Sequence, residues 1–547
     1  MFNREIPKTK FNRLLLDEIR EMAEPYLTTA PESLPYSLFV QFREIGERGE
    51  YEAKYFDHRR RLNCLFFAYL DTKDEKYLLP LWDALFAILD EYTWAVPAHV
   101  SDRTPLTITT KIDLFSAETV YALAEIDHIL GDTIPSLIRE RIRIEVERRF
   151  ISSFFAGTGR YIKNNWSAVQ SAGIIAGLVY LFPQRLDEAL PTLLPIMENF
   201  LNSYNEDGCC MEGSLYWIYG FGFYCYGANM LREATDGKIN LFTSQKVANI
   251  AHYFEHITFK NGYVIPFADT SLRCKVRMGL SVFLHHEFGA AYPDSTLLTS
   301  IADDTRFRFA DLLHDLYWSE DFDTAGQAMA DEYFWEDSQW YICRGEGLSF
   351  CGKGGHNQEP HNHCDVGNFA IFDGEKTVLG DLGWEDYTRD YFGPLRYTNF
   401  ILTPSTGHAV PMIDGKTQTV VDKKATILTA KDGEFVLDIG SAYGIDSFLR
   451  SMKLSGDTFT VTDTCDLPFA ERLVSGFVPA LRDGALIIET LRVEFSVPCD
   501  IEITSDTYRP RRIICAEDLK EIETAYFVTI IPKTPTKTLT MRFVKEG

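Results

Sequence analysis

Several features that mark other classes of protein are missing from this 547-residue sequence. No apolar run reaches the length of about 20 residues that a membrane-spanning helix needs. The longest, from Gly173 to Phe182, has about half that length. The first eight residues, Met1 to Lys8, lack the apolar core of a secretory signal. We therefore expect a soluble, cytoplasmic protein with no membrane partner, or a periplasmic one if a signal has been removed.

A disulfide framework is also missing. The 11 cysteines are an odd number, they form no CxxC pair, and Cys209 and Cys210 are adjacent. This scatter is typical of reduced thiols in a reducing compartment.

Basic residues are scarce relative to acidic ones. The chain has 54 Lys and Arg against 79 Asp and Glu, which gives a formal net charge of −25. Such a charge argues against nucleic acid and anionic membranes as partners. An anionic substrate would need a locally basic cleft.

The spacing of apolar residues divides the chain into two halves. From Phe11 to about His314 the spacing is mostly three and four, which predicts ten to twelve helices joined by short or medium loops. From Trp340 onward apolar and polar residues alternate, and Asp-Gly and Ser-Gly turn signals recur. Helical hairpins packed side by side form a toroid, whereas alternating strands form stacked antiparallel sheets.

We therefore predict an α+β protein of two domains. Residues 1–330 form an (α/α) toroid, an incomplete barrel of helical hairpins, and residues 338–547 form an antiparallel β-sandwich. The boundary is expected in the acidic, loop-like passage at 321–337.

The segment Gly354–Phe369 concentrates histidine. It holds three of the 12 histidines within eight residues, and His361 and His363 point to the same side if the segment is extended. The next predicted strand could bring Asp381 back beside His363, and His408 is the only histidine that follows. Imidazoles and a carboxylate form a three-ligand zinc set. The alternative is a loop whose histidines are exposed or hydrogen-bonded.

Two passages in the helical half carry polar residues that packing does not require. In the first, Asn164 and Asn165 precede a strongly apolar helix, and either could simply cap it. The second runs from Glu206 to Gly220 and combines an Asp-Gly turn, tyrosines and helical glycines. Such glycines indicate that something approaches the backbone closely, and an aromatic floor suits sugar rings. The alternative for the tyrosines is an aromatic stripe in the core.

Taken together, these stretches resemble the heparinase II/III-like polysaccharide lyases over roughly residues 90–415. The residues that carry the resemblance are Pro97-Ala98-His99 with Ile112-Asp113-Leu114-Phe115, Asn164-Asn165-Trp166, Asp207-Gly208 through Tyr219-Gly220, and His361 through Gly367. The resemblance implies a helical toroid before a β-sandwich, with a cleft between them. It also implies cleavage of uronate-containing glycans, glycosaminoglycan-like or alginate-like, by β-elimination.

The chemistry of that reaction explains the residue types. The C5 proton of a uronate becomes acidic only when the adjacent carboxylate is neutralised, a base then removes it, and an acid protonates the O4 leaving group. By motif, the resemblance implies that Asn165 neutralises the carboxylate, that Tyr219 is the acid and for some epimers the base, and that His361 assists. It assigns a divalent metal, most simply a structural zinc, to His363, Asp381 and His408. Several relatives have a histidine directly after this asparagine, whereas this chain has Trp166.

Further residues are expected to bind the substrate, an anionic oligosaccharide or polysaccharide. Glu212, Tyr216 and Trp166 come from the two helical passages, and Arg389 and Arg396 supply positive charge just after the Asp381 strand.

Two other functions remain open from the sequence. A glycoside hydrolase could use paired carboxylates such as Asp207 and Glu212 on the same toroid. A non-catalytic glycan-binding protein would use the histidine site only to hold the β domain together. The sugar, its sulfation, endo or exo cleavage, and assembly into a homo-oligomer are not decided by the sequence.

Overall fold

The computed structural model describes residues 5–100, 104–323, 330–482, 484–511 and 520–546. Part of the predicted boundary passage, residues 324–329, lies outside the described residues. Helices dominate before this passage and strands after it, which confirms the predicted fold class.

The helices are amphipathic or wholly buried, as their apolar spacing requires. Their bounds are α1 (Lys10–Ala23), α2 (Tyr36–Phe39), α3 (Gln41–Ile45), α4 (Gly49–Thr72), α5 (Leu78–Asp90), α6 (Pro105–Thr109), α7 (Leu114–Leu130), α8 (Ser136–Val146), α9 (Ser152–Phe155), α10 (Asn165–Ala176), α11 (Leu186–Leu201), α12 (Ser214–Ala234), α13 (Gln245–Ala251), α14 (Tyr253–Ile257), α15 (Met278–Phe288), α16 (Phe309–Tyr317), α17 (Arg396–Asn399) and α18 (Gly440–Tyr443). Among the described residues no single helix is long and apolar enough to cross a membrane. The sharply bent pair 165–181 and 183–201 meets that criterion by length and composition alone.

Strands such as β10 (Thr458–Thr464) alternate buried and partly buried side chains, because one face covers the core. Others, such as β3 (Ser349–Lys353) and β4 (Phe369–Phe372), are buried on both faces. The bounds of the strands are β1 (Glu332–Trp335), β2 (Trp340–Arg344), β3 (Ser349–Lys353), β4 (Phe369–Phe372), β5 (Thr377–Leu379), β6 (Met412–Ile413), β7 (Thr426–Lys431), β8 (Glu434–Asp438), β9 (Leu449–Ser455), β10 (Thr458–Thr464), β11 (Phe469–Ser475), β12 (Pro479–Arg482), β13 (Ala485–Ile488), β14 (Leu491–Phe495), β15 (Cys499–Tyr508), β16 (Glu523–Pro532) and β17 (Thr538–Lys545).

Three antiparallel sheets result. Their strand orders are β1-β2-β3-β4-β5, β12-β13-β14-β17-β10-β9-β8-β7 and β15-β16-β11-β6. One buried cluster takes side chains from all three, among them Phe369, Phe459 and Leu473. The sheets therefore share one large core, and a smaller cluster includes Val474 and Phe527 of the third sheet.

The chain forms two compact units. The helical unit contains residues 1–203, 217–248 and 276–324, and the β unit contains 204–216, 249–275 and 325–547. The β unit thus includes two segments that precede the first strand. Both carry residues of the candidate site.

Candidate active site

In the helical unit, glycines on α12 allow α10 to approach its backbone. A Cβ added at Gly220 would lie 3.0 Å from the Cβ of Asn165, and one at Gly227 would lie 3.1 Å from the Cα of Ala172. The close approach predicted from these glycines is therefore that of a neighbouring helix. It places Asn165 beside the turn of α12 that carries Tyr219.

The two asparagines at the start of α10 have different roles. Asn164 is the N-cap, and its side chain accepts a 3.0 Å hydrogen bond from the backbone N–H of Trp166. The capping interpretation is thus correct for Asn164. Asn165 is the first helical residue and is only 6% exposed, yet its amide makes no hydrogen bond to any described residue. Because no group in the described part of the protein occupies it, this amide is available to a ligand.

The hydroxyl of Tyr219 lies in a charged pocket inside the helical unit. It donates a 2.5 Å hydrogen bond to Glu118 Oε1, and the guanidinium of Arg308 lies 4.2 Å from the centre of its ring. Burial, together with the negative charge of Glu118, raises the pKa of Tyr219 well above its usual value of 10. The phenol therefore keeps its proton near neutral pH, as a general acid must.

Trp166 lies against His99 at the start of α10. The ring centres are 4.7 Å apart, and His99 also stacks on Phe115. His99 Nδ1 lies 2.7 Å from Asp113, the capping residue of α7. Two of the motifs that carry the family resemblance thus meet in one contact.

In the β unit, the carboxylate of Asp269 is the centre of a hydrogen-bonded group. Its neighbours are His361 Nδ1 at 2.7 Å, His363 Nε2 at 3.1 Å, the hydroxyls of Tyr387 at 2.9 Å and Tyr391 at 2.5 Å, and Arg396 Nη2 at 3.0 Å. Asp269 is completely buried. Burial alone would raise its pKa, but Arg396 and the two histidines hold it well below the usual range. Asp269 is therefore ionised and accepts from all five groups.

The backbone is strained at this group. His361 has φ of +55° and Ala268, next to Asp269, has φ of +67°, both in the left-handed region. Side chains other than Gly rarely adopt this conformation, and such strain concentrates at functional sites. Burial lowers the pKa of His361, but the hydrogen bond to Asp269 and the charge of Glu212 outweigh it, so the pKa is raised.

Tyr216 and Glu212 lie around the same imidazole. The ring of Tyr216 is 4.3 Å from that of His361, and its hydroxyl is 2.8 Å from that of Tyr387. Glu212 is 9% exposed, and its carboxylate makes no hydrogen bond within the described part of the chain. Burial raises its pKa. The substrate-binding role of Glu212 and Tyr216 remains a prediction.

His363, Asp381 and His408 form the predicted metal group. Their candidate ligand atoms all lie within 4.8 Å of one another, and each residue is buried. Among the described residues, His363 Nδ1 and His408 Nε2 have no hydrogen-bond partner. Burial lowers the pKa of His363, which favours the neutral ligand form. The other nitrogen of His363 is held by Asp269, as in carboxylate–histidine–metal arrangements. These residues fit a divalent cation.

The two predicted substrate-binding arginines differ in setting. Arg396, at the start of α17, is 8% exposed, pairs with Asp269 and donates to the backbone oxygens of His361 and Asn362. Its charge is thus balanced internally. Arg389 is exposed and makes no ion pair with any described residue. Of the two, Arg389 has the charge that is free to attract an anion.

Sequence reasoning missed Asp269, the partner of His361, and Glu118, the partner of Tyr219. Each of these two acids has a recognisable position in the sequence. Asp269 ends the apolar run from Tyr263 to Ala268, and Glu118 interrupts the apolar helix α7. A charge among apolar residues must be paired when it is buried.

No family model and no curated protein matches this sequence. Solved structures do match. Heparinase III is 14% identical with a TM-score of 0.68, covering 100% of this chain and 88% of that one. A mutant of the heparan sulfate lyase HepC from Pedobacter heparinus is 14% identical, with a TM-score of 0.62 and 97% and 83% coverage.

A third similar structure is the chondroitin AC lyase of Streptomyces coelicolor A3 in complex with chondroitin sulphate. It is 13% identical with a TM-score of 0.57, covering 99% of this chain and 80% of that one. Identities this low establish the fold alone. The chain therefore has the fold of the heparinase III-like polysaccharide lyases, a helical toroid followed by a β-sandwich, as the resemblance predicted.

Proposed function

We propose that the protein is a lyase that cleaves uronate-containing oligosaccharides or polysaccharides by β-elimination and leaves an unsaturated uronate end. The observation that carries the proposal is that Asn165 packs against Gly220, the residue after Tyr219, on adjacent helices of a lyase fold. Asn165 offers an unpartnered amide, and Tyr219 a phenol that retains its proton.

These two groups match the two demands of the reaction. The amide of Asn165 can donate to the substrate carboxylate and stabilise the enolate that develops as C5 loses its proton. The hydroxyl of Tyr219 can protonate O4 as the C4–O4 bond breaks. His361 keeps the assisting role that the resemblance gives it, with Asp269 fixing the proton on Nδ1.

The metal group belongs to this proposal. His363, Asp381 and His408 would hold a divalent cation, most simply zinc, which would tie together the three β-unit segments that supply them. The metal need not contact the substrate to affect the site. It would hold His363, and Asp269 connects His363 to His361.

The structure offers no support for the hydrolase alternative. Asp207, one of its two carboxylates, accepts hydrogen bonds from the backbone of Cys209 and from the backbone and hydroxyl of Ser338. It is a turn-stabilising residue, so the carboxylate that this alternative pairs with Glu212 is already engaged by hydrogen bonds within the protein.

The test is a panel of uronate glycans, including heparan-like, chondroitin-like and alginate-like chains, read by the ultraviolet absorbance of unsaturated uronate. Tyr219→Phe removes only a hydroxyl and should lower kcat about 10²- to 10⁴-fold. Tyr224→Phe is the matched control, because this α12 phenol donates to the backbone of Leu241 instead. Tyr216→Phe tests whether the catalytic phenol is instead Tyr216, which lies one helical turn earlier. Full activity of both Tyr219→Phe and Tyr216→Phe would refute the mechanism, and absence of unsaturated products from every glycan would refute the function.

A further inference from the structure

Glu118 is the hydrogen-bond partner of Tyr219, and its setting suits a residue that accepts a proton. It lies on α7 with its side chain 12% exposed. Arg308 Nε is 3.5 Å from the same carboxylate oxygen that receives the Tyr219 hydroxyl. Arg308 is itself shared, because it also pairs with Asp304 at 2.9 Å. Glu118 is thus only partly neutralised.

A small cavity borders the carboxylate. Its volume is about 20 Å³, which is enough for one water molecule. Besides Glu118, its polar lining comes from Tyr55, Arg59, Asn63, Thr119 and Arg306. A water molecule there would reach Glu118, and Tyr219 is not among the residues that line the cavity.

A phenol can remove the C5 proton only if its own proton leaves at the same time. Tyr219 is a weak base by itself, because its hydroxyl is protonated and buried. Its hydroxyl donates to Glu118 Oε1, whereas its other hydrogen-bonding neighbour, Arg308, is a cation that donates and cannot accept a proton. The carboxylate therefore lies on the direct route for the displaced proton.

We propose, on the basis of the lyase function above, that Glu118 is a positioning residue that stores the proton during elimination. The C5–H bond breaks and its proton goes to Tyr219 Oη, while the Tyr219 proton passes to Glu118 Oε1. The electron pair forms the C4=C5 double bond and the C4–O4 bond breaks. O4 then takes the proton of Tyr219, which recovers its own from Glu118. No proton is gained or lost overall, and one tyrosine serves as base and acid.

The reaction should accordingly need ionised Glu118. Burial raises the pKa of Glu118 to about 7, against the opposing effects of Arg308 and Tyr219. Its proton affinity is thereby matched to neutral pH. Below pH 7 the carboxyl is already protonated and cannot accept a proton, so kcat should fall as pH decreases through about 7. The charged and titratable groups that face Glu118 or line its cavity are Tyr219, Arg308, Asp304, Asp311, Arg59, Tyr55 and Arg306.

The experiment compares Glu118→Gln with Glu125→Gln on the glycan that the parent protein cleaves. Glu125 is the matched control, since it lies two turns along α7, is fully buried, and also has a pKa raised by burial, to about 8. We expect Glu118→Gln to lower kcat about 10²- to 10⁴-fold with KM unchanged and to lose the acid limb of the pH profile. Glu125→Gln should keep both kcat and the limb.

A Glu118→Gln variant with kcat within threefold of the parent and an intact acid limb overturns the inference, while an inactive Tyr219→Phe would still uphold the proposed function. If Glu118→Gln does not fold, Glu118→Asp retains the charge but withdraws it from the phenol. It should lower kcat about tenfold or more, and unchanged kcat in that variant also overturns the inference. A parent protein that releases no unsaturated uronate overturns the function and this inference together.

Discussion

Replacing Asp269 by Asn should show separately how this carboxylate contributes to the stability of the β unit and to turnover. The two side chains have the same shape, but an amide has one accepting oxygen where the carboxylate has two. Oδ1 receives His363, Tyr391 and Arg396, and Oδ2 receives His361 and Tyr387. The amide oxygen should face Arg396, because that partner is charged. The NH₂ group then faces His361 Nδ1.

Two effects of different size follow. Arg396 loses its buried counter-ion, which should cost about 3–5 kcal/mol of unfolding free energy. His361 Nδ1 must now accept a hydrogen bond from the amide, so the ring proton moves to Nε2. Fixing the wrong tautomer lowers kcat about 10⁴-fold in catalytic triads. We expect a loss of about 10²- to 10⁴-fold here.

Denaturant unfolding and turnover should be measured on the same samples. Asp463→Asn is the control, because Asp463 is also completely buried and pairs with an arginine, Arg450, within the β unit. That variant should lose less stability, because Arg450 keeps Glu471 as a buried counter-ion, and it should keep its kcat. Asp269→Asn with kcat within threefold of the parent, at a temperature where it is folded, would refute the assignment of Asp269 as the residue that orients His361.

Two further predictions concern the metal and the arginines. His363→Ala should reduce zinc content and the unfolding midpoint together, since metal affinity contributes to folding, whereas His356→Ala should change neither. Elemental analysis of protein purified without chelator tests this, and metal-free, fully stable parent protein would contradict it. Arg389→Ala should raise KM several-fold with little change in melting temperature, because this side chain is exposed, whereas Arg396→Ala should mainly lower stability. If Arg396→Ala raises KM and Arg389→Ala does not, Arg396 is the residue that binds the anionic substrate.

Much of the fold could be predicted because local patterns decide it. The spacing of apolar residues in α7 and the alternation in β10 identify helix and strand without any long-range information. The metal group was predictable from the resemblance, which assigns His363, Asp381 and His408 by motif. The helical glycines indicated a close approach, although the sequence could not say that the partner is α10.

The partners of the proposed catalytic residues could not be predicted in the same way. Asp269 precedes His361 by 92 residues and Glu118 precedes Tyr219 by 101. No periodic pattern connects positions so far apart, because such pairs are made by tertiary packing. Asp269 also lies in a segment with only isolated β-bridges, so it belongs to no helix or strand whose face could be deduced.

The left-handed backbone at His361 limits which residues evolution or an experimenter can place there. Side chains branched at Cβ are the least tolerated in this conformation, and ordinary L-residues lose about 1–2 kcal/mol in it. Asn and Gly adopt it most readily. His361→Asn and His361→Gly therefore remove the imidazole with little conformational penalty. Relatives that have lost catalysis but kept the fold should carry one of these residues at this position.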